Sequence, residues 1–188
     1  MTDLFHQLIF STAERTPDAT ALVYQTQSLS YASLASEVQG VAYGLNKLGL
    51  GRGERVAIYL EKRFETVIAM FATTLAGGVF VPINPVLKPE QVAYILTDCH
   101  VRILVTSAER LKLLQRILPI CHDLHVAIIA DADTSDGFST TVATWNTVRS
   151  NAVANVQSVM DITVIDADMA AIIYTSGSTG KPKGVMLS

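Results

Sequence analysis

Between Arg55 and Ile129 the chain alternates short apolar runs with amphipathic stretches. That alternation restricts the fold more than any other feature. RVAIYL (55–60), VFVPI (79–83), VRILVT (101–106) and LHVAII (124–129) are near-continuous runs of strand-forming residues. A strand with one wet face alternates apolar with polar, whereas runs like these are buried on both faces. Helical spacing fills the gaps. Phe64, Val67, Ile68, Phe71 and Leu75 make one stripe, ended by Gly77-Gly78. Pro89 suits the first turn of a helix reaching Leu96, and Ser107 caps a helix to about Leu118, where Pro119 stops it. Strand and helix in series predict an α/β fold, a mostly parallel sheet flanked by helices with right-handed crossovers.

A smaller unit precedes the sheet. Leu4, Phe5, Leu8 and Ile9 recur at helical spacing in residues 4–15, and Pro17 ends that helix. ALVYQTQSLSY (21–31) reads as a hairpin turning at Gln25-Thr26-Gln27. Ser30 caps a helix with Leu34, Val38, Val41, Leu45 and Leu48 on one face, ending at Gly49-Leu50-Gly51. The expected organisation is 1–52 for this helix, hairpin and helix, and 53–188 for the parallel α/β subdomain. Residues 131–168 are polar, with Trp145 as the one large anchor, and read as a long excursion holding a short helix near 142–149. MAAIIYT (169–175) returns as a strand.

Composition narrows the function classes. With 49% hydrophobic and 16% charged residues, the chain is core-rich rather than disordered. Its mean hydropathy of +0.34 is high for a soluble domain of this size. Apolar surface that promotes self-association is therefore expected. The net charge of −3 comes with no basic stripe, which argues against nucleic acid as a partner. Cys99 and Cys121 are too few for a disulfide framework and read as buried thiols. The N-terminus lacks the basic and apolar regions of a signal peptide. No apolar run approaches the ~18 residues of a transmembrane segment, so a cytoplasmic location is the expectation.

The feature that points to chemistry is YTSGSTGKPKGVMLS, Tyr174 to Ser188. It follows the C-terminal end of an expected parallel strand, where such sheets bind ligands. Gly177, Gly180 and Gly184 allow positive φ and close approach to a ligand. Thr175, Ser176, Ser178 and Thr179 offer hydroxyls, and successive N–H groups can form an anion nest. Lys181 and Lys183 add charge. A phosphate group fits this set, above all the triphosphate of a nucleotide. The loop is neither a Walker A loop nor a nucleophile elbow. Lys181 is followed by Pro182 and preceded six residues earlier by Thr175, and Ser178 has Ser176 two residues before it. A flexible Gly/Ser linker would not sit flush against a buried strand.

Other constellations read as structural. Cys121-His122-Asp123-x-His125, even with Cys99-His100, lacks recognised zinc spacing. Asp131, Asp133 and Asp136 lack the glutamate of a calcium loop and read as a solvated turn. Glu61 and Glu65 flank Lys62 and Arg63 at a helix start. Tyr43, Tyr59 and Tyr94 sit on apolar elements and read as core. No metal site is expected.

YTSGSTGKPKG resembles the phosphate-binding signature of the adenylate-forming (AMP-binding) superfamily. That superfamily includes acyl-CoA synthetases, the adenylation domains of nonribosomal peptide synthetases, and luciferases. TLAGGVFVPINP (74–85) is similar to its A-G-x-x-x-V-P element, and LSYASL (29–34) to its N-terminal hairpin-to-helix element. The resemblance implies the N-terminal subdomain of that fold. It also implies an ATP-dependent reaction in which a small carboxylic acid becomes an acyl-adenylate and then passes to a thiol. On this resemblance Thr175, Ser176, Gly177, Ser178, Thr179, Gly180, Lys181, Lys183 and Gly184 bind ATP phosphates, with Lys183 the first candidate because Pro182 aims it. ATP, Mg2+ and coenzyme A are the implied cofactors.

The remaining parts of such a site lie downstream in the family, and no complete catalytic set is expected here. The chain reads as the N-terminal portion of an AMP-forming carboxylate–CoA ligase, inactive alone, with a mobile tail from about Thr175. Two alternatives stay open: an amino-acid adenylation domain of a nonribosomal peptide synthetase, and a non-catalytic nucleotide-binding or scaffolding module. The identity of the acid is not legible.

Overall fold

The computed structural model describes residues 4–132, 138, 140–150, 163–175 and 182–188. Helix α1 (Gln7–Arg15) leads into a hairpin of β1 (Thr20–Tyr24) and β2 (Gln27–Ser30). The hairpin turns at Gln25, which takes a φ of 55°. Helix α2 (Tyr31–Lys47) starts where Ser30 Oγ accepts from Ser33 N at 3.2 Å. Then come β3 (Arg55–Tyr59), α3 (Phe64–Leu75), β4 (Val79–Pro82), α4 (Pro89–Asp98), β5 (Val101–Thr106) and α5 (Ala108–Leu114). A single 3-10 turn (Leu118–Ile120) precedes β6 (Val126–Ile129), β7 (Val142–Thr144), α6 (Trp145–Ser150), β8 (Ala171–Thr175) and β9 (Lys183–Leu187).

The expected starts hold for physical reasons visible in the structure. Pro89 occupies the first turn of α4, where its missing N–H costs nothing, and Gln91 Oε1 accepts from Lys88 N at 3.0 Å. Ser107 Oγ accepts from Arg110 N at 3.2 Å and starts α5. That helix ends at Leu114 rather than Leu118, and Pro119 sits in the separate 3-10 turn. The first helix begins at Gln7 rather than residue 4.

Strands β3 to β9 form one seven-stranded sheet in the order β7-β6-β5-β3-β4-β8-β9. Every neighbouring pair is parallel except β8–β9. The chain leaves β3 in one direction through α3 to β4. It returns past β3 through α4 to β5, and goes on through α5 to β6. Right-handed crossovers that run opposite ways put their helices on opposite faces. Accordingly α1, α2, α3 and α6 pack on one face, over Val56, Ile58, Ile103, Val105 and Ile128. Helices α4 and α5 pack on the other, over Ala57, Tyr59, Val81, Leu104 and Ile129.

Two elements differ from the sequence expectation. Residues 142–144 are not helical: they form β7, which pairs with β6 in parallel, and only Trp145–Ser150 is helix. Thr144 Oγ1 accepts from Thr147 N at 3.3 Å, so strand and helix meet at that residue. Nor is the end of the chain a loose tail at residues 183–187. It is a strand, antiparallel to β8, with Ala171 opposite Leu187 and Thr175 opposite Lys183.

Candidate phosphate-binding site

The site is built where β8 ends and β9 begins. Ala171 and Ile173 face the α1–α3 side of the sheet, while Ile172 and Tyr174 face the α4 side. Thr175 ends β8 in solvent, and Lys183 begins β9 directly across the ladder. The structure thus brings together Thr175, Lys183 and Gly184 of the nine candidate residues. Ser176, Gly177, Ser178, Thr179, Gly180 and Lys181 lie outside the described residues.

Gly184 differs in its reason from the sequence expectation. It lies in the strand opposite Tyr174 and is not among the described positive-φ glycines, which are Gly49, Gly53 and Gly77. What it supplies is space. A Cβ there would lie 2.8 Å from Ile172 Cγ2 and 3.3 Å from Tyr174 Cζ. The tyrosine ring occupies that room and reaches across to α4, where its hydroxyl donates to Asp98 Oδ2 at 2.5 Å. Burial, then this hydrogen bond, pushes the Tyr174 pKa up, and burial pushes the neighbouring Cys99 thiol up to about 11. Both groups are therefore neutral at physiological pH. One turn earlier on α4, Tyr94 Oη donates to Pro182 O at 3.4 Å, just before β9. Tyr94 was expected to be core; it is half-buried, and its hydroxyl faces the site. Sequence reasoning gave Tyr94 and Tyr174 no role in holding the site and did not single out Asp98; the one signal was the four-residue spacing of Tyr94 and Asp98 on one helix face.

Strand β4 runs parallel beside β8, so its C-terminal loop opens at the same edge of the sheet. That loop is the end of the A-G-x-x-x-V-P element, and it is held from below. Arg110 Nη1 donates to Pro85 O at 2.6 Å, and Tyr59 Oη donates to Leu87 O at 2.9 Å. The Arg110 guanidinium lies 4.8 Å over the Tyr59 ring and pairs with Glu61 at 2.5 Å. That hydrogen bond holds the Glu61 carboxyl below its usual range. Glu65 pairs with Arg63 at 2.7 Å. These carboxylates are neutralised structural groups at a helix start. Gly78, earlier in the same element, is where Leu50 Cδ2 would lie 2.9 Å and Glu54 O 3.1 Å from a Cβ.

Strand order, the glycine signature and its place at the strand ends all point one way, and residues 9–188 match the family described as AMP-binding enzyme. The chain belongs to the AMP-binding enzyme family. It is 35% identical over 185 residues to tyrocidine synthase 3 of Brevibacillus parabrevis, across 97% of this chain and 2% of that protein. It is 34% identical over 182 residues to bacitracin synthase 1 of Bacillus licheniformis, across 96% of this chain and 3% of that protein. Among solved structures it resembles the anthranilate CoA ligase AuaEII in complex with anthranoyl-AMP, with a TM-score of 0.86 at 24% identity over 98% of this chain and 34% of that one. It also resembles VinN in complex with 3-methylaspartate, with a TM-score of 0.74 at 26% identity over 98% of this chain and 47% of that one. This chain therefore spans a few per cent of those synthases and under half of those solved proteins.

The other constellations singled out in the sequence find partners within the fold where the structure describes them. His100 Nδ1 pairs with Asp123 at 2.9 Å, and His125 Nε2 meets Arg102 at 2.5 Å. Cys99 and Cys121 are buried free thiols whose pKa values burial raises. Asp131 accepts from Ala108 N at 2.8 Å at the start of α5, and Asp133 and Asp136 lie outside the described residues. Among the described residues no three His, Cys, Asp or Glu side chains group to hold a metal ion. Among the described residues, too, no helix is long and apolar enough to cross a membrane.

Proposed function

We propose that the chain supplies the triphosphate-holding edge of an enzyme that activates a carboxylic acid as its acyl-adenylate. One observation carries this reading: the hydroxyl- and lysine-rich signature joins a parallel strand to its antiparallel return, with Thr175 and Lys183 face to face at the C-terminal edge of the sheet. A carboxylate and a triphosphate repel, so the reaction needs donors and positive charge fixed on the phosphates before the acid arrives. In the step itself a carboxylate oxygen attacks the α-phosphorus. The bond from that phosphorus to the bridging oxygen breaks, and pyrophosphate leaves with the electron pair. Lys183, the loop N–H groups and the hydroxyls stabilise the charge that gathers on it. A thiol sulfur then attacks the acyl carbon, loses its proton and releases AMP.

The acid we favour is an amino acid, with a carrier-bound thiol as acceptor. Support comes from the likeness to tyrocidine synthase 3 and bacitracin synthase 1, at 34–35% identity over nearly the whole chain. VinN, solved with 3-methylaspartate, leans the same way. The second reading, transfer to coenzyme A, rests on the CoA ligase likeness, which at 24% identity speaks for the fold.

The test is acid-dependent ATP–pyrophosphate exchange by the natural gene product that contains this chain. It should be run across amino acids and across aryl and alkyl acids. Exchange with one amino acid and no consumption of coenzyme A is the expected result. Exchange with an aryl or alkyl acid and thioester formation on coenzyme A would select the second reading. Exchange with no acid would overturn both and leave a nucleotide-binding or scaffolding module. Lys183→Ala should lower the exchange rate at saturating acid by about tenfold or more.

A further inference from the structure

Resting on that phosphate reading, we propose that Tyr94 and Asp98 of α4 are positioning residues that hold the two ends of the phosphate loop, Pro182 and Tyr174, in a set register. The two side chains are four residues apart and so share one face of the helix. Asp98 takes the Tyr174 hydroxyl at 2.5 Å, at the last residue but one of β8. Tyr94 donates to the carbonyl of Pro182 at 3.4 Å, immediately before β9. The ladder ties the same two ends sideways, with Tyr174 opposite Gly184 and Thr175 opposite Lys183. Helix α4 therefore fixes both ends relative to the sheet, while the ladder fixes them relative to each other.

Three features make the clamp more than a chance contact. Gly184 is the residue that lets it form, because any Cβ there would press on the ring that carries the Tyr174 hydroxyl to Asp98. Strand β9 is solvent-exposed along all five residues, so its own side chains pack too little to set the loop's far end. Helix α4 is the opposite. Val92, Ala93, Ile95 and Leu96 are all buried against the sheet, which gives the clamp a rigid base. A loop that grips an anion must pay for its own ordering at binding unless a rigid base orders it beforehand. Donors fixed in advance are also those that act best on charge developing in a reaction.

The test uses Tyr94→Phe, Asp98→Ala and the acceptor-preserving Asp98→Asn. Two measurements are made on the natural gene product that contains this chain: amide hydrogen exchange over residues 174–184, and binding of inorganic tripolyphosphate by calorimetry. A third is the KM for ATP in pyrophosphate exchange by the natural gene product. For Tyr94→Phe and Asp98→Ala we expect exchange over 174–184 to quicken, and both the tripolyphosphate dissociation constant and the KM for ATP to rise about tenfold. Exchange in β5 and β6 should stay as in the parent. Asp98→Asn should recover most of the loss, because its amide oxygen still accepts from Tyr174. Unchanged exchange over 174–184 in both breaking variants would overturn the clamp. So would unchanged tripolyphosphate affinity against a parent that binds it. A parent gene product that binds no tripolyphosphate would overturn the phosphate reading, and the positioning role with it, even if the exchange data respond.

Discussion

The centre of the sheet and its β8–β9 margin are made of the same residue types and are held in different ways. Strands β5 and β6 present Ile103, Leu104, Ala127, Ile128 and Ile129 at no measurable exposure, with helices over both faces. Strand β9 presents Val185, Met186 and Leu187 at 46%, 68% and 48%. Apolar content alone thus does not report burial. Position in the strand order does, because an inner strand gains neighbours on four sides and an edge strand on fewer. Tyr174 and Pro182, on either side of the glycine signature, lie at this margin and make hydrogen bonds to α4.

The largest effect should come from testing the contrast directly. Ile128→Ala should lower unfolding free energy by about 3–4 kcal/mol, since it empties a filled core position. Leu187→Ala should cost below about 1 kcal/mol. Urea denaturation measures both, and comparable losses would erase the distinction between centre and margin.

Gly184→Ala sharpens it. The added methyl would press on Ile172 and the Tyr174 ring, at a cost of roughly 1–2 kcal/mol. Loop function should suffer more than stability. A variant that keeps the parent's hydrogen exchange over 174–184 would show that the ring does not need that space.

A smaller effect concerns His6, buried at the start of α1, with Nδ1 lacking a hydrogen-bond partner among the described residues. Burial lowers its pKa from 6.5, so the folded protein keeps it neutral while the unfolded chain takes up a proton as pH falls. Stability should therefore drop as pH falls below about 6.5. His6→Phe should remove that dependence, and the melting-temperature gap between variant and parent should widen from pH 7 to pH 5. A constant gap would sink the assignment.

The smallest effect is at the approach to β8. Both Asp168 carboxylate oxygens take Arg52 Nη2 at 2.8 Å, in an exposed pair. The Arg52 hydrogen bond, then the Ile165 N–H, lowers the Asp168 pKa. A carboxyl depressed by folding stabilises fully above its unfolded pKa of about 3.9 and loses that contribution as pH falls through the folded value. Asp168→Asn should melt slightly below the parent at pH 7, by an amount that fades in acid and in high salt. An undiminished difference at pH 2.5 would mean that the pair is not its source.

Much of the fold was legible because its signals are local. The apolar runs, the caps at Ser30 and Ser107 and the proline at Pro89 each act within a few residues, and each sits where the pattern put it. The glycine signature marked the candidate site for the same reason. Val142–Thr144 was missed because three residues are too few to show a period, and only pairing with β6 makes them a strand. Lys183–Leu187 was read as part of a tail because its pairing with β8 across the glycine signature leaves no local pattern.

Sequence by itself determined the α/β class and the alternation of buried strands and helices, and it marked the hydroxyl- and lysine-rich segment of the candidate site. Tertiary structure decided the rest. It reversed β9, gave Gly184 a steric reason instead of a conformational one, and set Tyr94 and Asp98 against Pro182 and Tyr174, some eighty residues away in the chain. The physical reason is range. Propensity and capping act over one turn of helix or a few residues of strand, while strand order and cross-element hydrogen bonds exist only after the sheet has closed.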